Sequence, residues 1–135
     1  MLDIKKLFAK LLTYTKEVKS TIQELTVGVD VSSKVTVSSA WSVSYKRFIK
    51  RGKRIDFEFE GYCTSYIANH TYDMLFLAND IKPKSLTAFL GHRTDGAFVP
   101  QGFHTVIANT NARIQVTASS TVGSYWFASG WYEIA

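Results

Sequence analysis

The chain has 135 residues, 46% of them hydrophobic and 20% charged, with a formal net charge of +5. That is room for one compact domain and an extension but not for two cores, and it is too apolar for a disordered chain. One cysteine excludes an intrachain disulfide. No apolar run approaches the roughly 20 residues that a membrane span needs.

Residues 1–25 carry Met1, Ile4, Phe8, Leu11, Thr15, Val18, Ile22 and Leu25 at alternating three- and four-residue spacing. This is the a/d pattern of a coiled coil, and no Gly or Pro interrupts it. Leu7 and Tyr14 at g and Leu12 at e widen the stripe beyond a two-stranded seam. The pattern predicts a stalk helix associating as a homotrimer, with Ile4, Phe8, Leu11, Val18, Ile22 and Leu25 as the oligomer seam. So short a helix is marginal alone, which assigns the head a share in holding the oligomer together. Lys5, Lys6, Lys10, Lys16 and Lys19 break up the apolar residues, and no small-residue cleavage site follows. The expectation is a chain made in the bacterial cytoplasm without a signal peptide.

After Leu25 the composition turns to Thr, Val, Ser, Tyr, Phe and Trp. We divide the chain into a coiled-coil stalk at 1–25, a linker or first strand at 26–34, and a β-sandwich head at 35–135. Val35, Val37, Trp41, Val43 and Tyr45 recur with period two, interrupted by Ser39. The run from Arg47 to Ile55 reads as strand, tight turn at Gly52, strand. Ile55, Phe57 and Phe59 then alternate with Asp56, Glu58 and Glu60, giving one buried and one wet face. Further strands are expected near 62–67, 86–92, 103–108, 112–118 and 124–134. Strands at this spacing, with no second helical pattern, predict an antiparallel, jelly-roll-like sandwich.

The basicity is local. Lys46, Arg47, Lys50, Arg51, Lys53 and Arg54 fall within nine residues, and without them the chain after residue 25 has five basic residues against eight acidic. Lys50, Arg51 and Lys53 are candidates for contact with an anionic partner. Edge hairpins also use charge to block unwanted pairing, so nucleic acid is disfavoured as that partner.

Motifs for catalytic serine, zinc peptidase, nucleotide-binding loop and paired cysteines are all missing. Asp56, Glu58 and Glu60 imitate the carboxylate set of a glycosidase, but a solvated β-face explains them more simply. His70, His92 and His104 are too dispersed to indicate a metal. We therefore expect no enzyme activity, cofactor or metal site.

The C-terminal Tyr125, Trp126, Phe127, Trp131 and Tyr132 are the best candidates for recognition, since sugars stack on such rings, although one strand face must enter the core. The stretch Gly91-His92-Arg93-Thr94-Asp95-Gly96-Ala97-Phe98 reads as a polar loop bounded by glycines. The expected ligand-binding residues are His92, Arg93, Asp95, Trp126 and Trp131.

The order coiled coil, "YKRFIKRGKRIDFEFEGY", "LFLANDIKPKSL", "FHTVIANTNARIQVTAS" and terminal "GSYWFASGWYEIA" resembles the C-terminal heads of tail-fibre and baseplate proteins from phages and prophages of Gram-positive bacteria. Such heads run from a basic strand-turn-strand through an "lP…rP" segment to a closing hairpin. Here Pro83 is kept, the first proline is missing, and Asn111 stands where Gly is common; Asn tolerates positive φ. The resemblance implies a trimeric β-sandwich head located in the virion tail. Its partners would be a host cell-surface polysaccharide or other tail and baseplate proteins. The competing readings are a purely structural virion subunit and a small glycan-degrading enzyme.

Overall fold

A computed structural model describes residues 3–63, 70–94, 98–107, 112–117 and 124–135. Helix α1 spans Ile4–Thr26, and the Asp3 carboxylate caps it by accepting the Lys6 N–H at 3.2 Å. It stops at Gly28, whose φ of +82° suits glycine. A Cβ there would also lie 2.4 Å from Cγ2 of Ile49. No helix residue is buried. Ile4, Phe8, Leu11, Val18, Ile22 and Leu25 all stand exposed, so α1 leaves the head with its apolar stripe in the open.

The remainder is β1 (Val29–Asp30), β2 (Val35–Val37), β3 (Ser42–Arg51), β4 (Arg54–Cys63), β5 (Thr71–Leu77), β6 (Ala88–Thr94), β7 (Phe98–Ile107), β8 (Ala112–Thr117) and β9 (Ser124–Glu133). They form one antiparallel sheet in the order β1-β3-β4-β9-β6-β7-β8-β5-β2. Its two edges, β1 and β2, are joined only by a 3₁₀ turn at Ser32–Lys34. So short a link forces the sheet to curl until its edges meet. Lys46 ties the joint, its Nζ donating to the carbonyls of Ser32 and Val35, while Ser32 Oγ accepts the Phe48 N–H at 2.9 Å.

The mainly β architecture behind one N-terminal helix agrees with the sequence expectation. So does the hairpin, with Arg51 opposite Arg54 and Gly52 at φ +58°. The period-two run from Val35 to Tyr45 is divided: the Trp41 N–H bonds the Ser38 carbonyl at 3.0 Å, and the turn separates β2 on one edge from β3, which lies beside the other. Strand β5 was not expected at all. A bulge between Asp73 and Leu75 breaks its alternation, so adjacent Met74 and Leu75 are both fully buried. β7 begins at Phe98, ahead of the expected 103. The turn around Asn111 lies outside the described residues.

Inside the curl, Ile55, Phe57 and Phe59 of β4 meet Trp126 of β9, Phe103 of β7, Ile114 and Val116 of β8 and Leu75 of β5 in one core. Trp41 packs edge-on against Trp126 at 5.6 Å. The Tyr132 hydroxyl is buried and donates to the Ile81 carbonyl at 2.9 Å; burial raises its pKa well above the usual phenol value.

Candidate recognition surface

The outer faces of β4 and β9 carry the chemistry. Because Ile55, Phe57 and Phe59 point inward, Asp56, Glu58 and Glu60 point out. The same parity buries Trp126, Ala128 and Tyr132 on β9 and turns Tyr125, Phe127, Ser129 and Trp131 outward. Cross-strand register then sets Glu60 beside Phe127, Glu58 beside Ser129 and Asp56 beside Trp131. The result is a row of rings alongside a row of carboxylates.

Each carboxylate has donors of its own. Asp56 is held by Arg51 and by Arg54, whose Nε lies 2.7 Å from Oδ1. Glu58 accepts the Tyr45 hydroxyl at 2.5 Å, with Arg47 at 3.6 Å. That hydrogen bond raises the Tyr45 pKa above the ordinary phenol value. Glu60 accepts from Ser44 Oγ at 3.1 Å. An ionised carboxylate has about four acceptor positions, so lone pairs remain for a ligand.

β6 pairs with β9 only along Gly91–Thr94, whereas β9 pairs with β4 over its whole length. Two cavities open along this seam, the first over the last paired residues of β6 and β9 and the second where the strands separate. The first, about 420 Å³, is lined by Tyr45, Glu58, Glu60, Leu90, His92 and Phe127 among others. The His92 ring stacks on Phe127 with centroids 5.4 Å apart. Gly91 allows the close approach of β6 to β9, since a Cβ there would sit 2.5 Å from the Phe127 carbonyl oxygen. The second, about 460 Å³, is lined by Ser85, Thr87, Phe89, Gly130, Trp131 and Glu133 among others.

The structure separates the expected ligand residues. His92 and Trp131 lie on this surface; Trp131 is 52% exposed, with the Arg54 guanidinium carbon 4.7 Å from its ring centroid. Trp126 is 0% exposed and belongs to the core, so it cannot offer a stacking face. Arg93 is a second correction: residues 91–94 are strand rather than loop, and Arg93 points inward at 6% exposure, its guanidinium near the Trp126 ring. Asp95 lies outside the described residues.

The basic hairpin also divides. Lys46 is an internal tie and Arg51 an ion-pair partner of Asp56, whereas Lys50 and Lys53 enter no ion pair among the described residues. Sequence reasoning missed a chain of side chains across the outside of β7, β8 and β5. His104 Nε2 meets Gln115 Oε1 at 3.1 Å, Gln115 Nε2 donates to Asp73 at 2.6 Å, and Arg113 donates to Asp73 at 2.8 Å. No local signal marks it, because its members come from three strands.

Among the described residues no helix is long and apolar enough to cross a membrane. No family model and no curated protein matches the chain.

Proposed function

We propose that this protein is the non-enzymatic binding head of a phage or prophage tail fibre or baseplate. In this reading it assembles as a homotrimer through α1 and takes a cell-envelope saccharide on the outer face of β4 and β9. The observation that carries it is the paired row of rings and carboxylates beside two open cavities. Rings accept the apolar CH faces of sugars, and carboxylates accept their hydroxyl donors.

The stalk-and-head layout supports the tail assignment, and the broad exposed stripe of α1 supports three chains over two. In the assembled head the curled sheet acts as a jelly-roll-like sandwich. Contacts such as Phe59 on β4 against Phe103 on β7, with centroids 5.7 Å apart, support that layering. The competing reading is a structural subunit contacting only other tail proteins, and the exposure of Leu86 and Leu90 supports it, at 73% each.

Light scattering should give a mass near three times 15.2 kDa. The labelled protein should stain Gram-positive cells, and Glu60→Gln should weaken that staining without lowering the melting temperature. A monomer at micromolar concentration contradicts the assembly. Failure to stain any strain of a broad panel contradicts the saccharide reading in favour of the structural subunit.

A further inference from the structure

We infer that the two cavities are successive subsites of one groove, and that the groove takes a linear glycan chain lying along β9 rather than a single terminal sugar. This rests on the saccharide reading above and adds the length and direction of the ligand.

The cavities share a seam. Leu90 and Ser129 line the first, while Phe89 and Gly130, the very next residues along β6 and β9, line the second. The first lies over the last paired residues, Gly91 with Ala128 and His92 with Phe127, and the second begins where the strands part, so the two follow one another along β9. Phe127 faces the first cavity and Trp131 the second. Four residues of one strand separate these rings, or about 13 Å, well over the width of one sugar ring. Ser129 stands between them, small enough to leave the line from ring to ring uncovered.

Polar groups run parallel to that line. Glu60, Glu58 and Asp56 follow one another at the same two-residue interval on β4, opposite Phe127, Ser129 and Trp131. On the β6 side, His92 flanks the first cavity, and Thr87 and Ser85 the second. A single sugar could use one ring and one carboxylate. A chain of about three rings would use both aromatic platforms and the hydroxyl acceptors between them.

The test uses the wall polysaccharide of a strain that the labelled protein stains, cut into mono- to hexasaccharide fractions and titrated calorimetrically against the intact protein. Affinity should rise roughly tenfold or more from one unit to about three or four and then level off, as the second platform becomes engaged. Trp131→Ala should remove most of that gain, so that affinity no longer rises with chain length. Trp131 is half exposed, so its loss should leave melting nearly unaltered. Should Trp131→Ala unfold the head, Ser85→Ala with Thr87→Val, which of the two cavities line only the second, provides the same length comparison. Equal affinity across the fractions would overturn the extended groove yet leave saccharide binding standing. Absence of staining on every strain removes both.

Discussion

Leu11 on α1 and Phe59 on β4 are both placed by a regular apolar pattern, yet Leu11 is 58% exposed and Phe59 2%. The period-two pattern of β4 is satisfied within one chain, because the curled sheet supplies Phe103 and Trp126 from distant strands. The period-3.5 pattern of α1 stays exposed among the described residues. In the proposed trimer the two regions owe their order to different partners: the head's core is built within one chain, whereas the helix would be covered by the helices of its neighbours.

The largest effect that separates them is loss of a core ring. Phe59→Ala should cost about 3–5 kcal/mol and broaden or abolish the head's thermal transition. Ile22→Asp combined with Leu11→Asp should do the reverse. It should reduce the scattering mass toward one chain and lower the helical circular dichroism, while the head keeps its near-ultraviolet signal. Loss of the head's signal in the helix variant would show that the regions fold as one unit.

The same contrast explains what was legible beforehand. A heptad and an alternating strand are local patterns, so α1, the β3–β4 hairpin and the inward set on β4 could be read directly. The partner of each strand could not. Nothing in "GSYWFASGWYEIA" says that β9 lies against β4, or that this register sets Phe127 by Glu60 and Trp131 by Asp56. Sequence reasoning saw the cluster of rings but not which face each took, and so it chose Trp126 beside Trp131. The glycine at position 91 suggested a loop, whereas the close crossing of β6 and β9 is what requires it. β5 escaped because its bulge cancels the alternation that would have shown it.

A middle-sized effect lies in the basic hairpin, where residues near the helix junction look alike in sequence and differ in contact. Asp56 is about a quarter exposed and engages both Arg51 and Arg54. Asp56→Asn should cost about 1 kcal/mol by chemical denaturation, since it weakens two charge-assisted bonds together. Lys50→Ser with Lys53→Ser should change stability by no more than about 0.5 kcal/mol. Equal losses from the two changes would make the cluster uniformly structural.

The smallest effect concerns pH at the joint and on the outer face. A hydrogen bond from Ser32 lowers the Asp30 pKa, and one from Lys34 lowers that of Asp80. Both contacts sit where the turn at Ser32–Lys34 joins the sheet edges. A carboxyl whose pKa is lower folded than unfolded stabilises the fold above its unfolded value, near 3.9, and that contribution fades as pH falls through the folded value. The melting temperature should therefore drop on acidification below about pH 4. Asp30→Asn with Asp80→Asn should make that drop shallower, though both groups are exposed and the change is small. Tyr45 works in the opposite sense. The hydrogen bond to Glu58 raises its pKa, so its contribution is full below about pH 10 and disappears as the pH climbs through the folded value. Ultraviolet difference titration of Glu58→Gln should show one phenol moving back toward the ordinary range. If no phenol moves, the contact between Tyr45 and Glu58 does not persist in solution, and the first cavity loses the side chain that orients its central carboxylate.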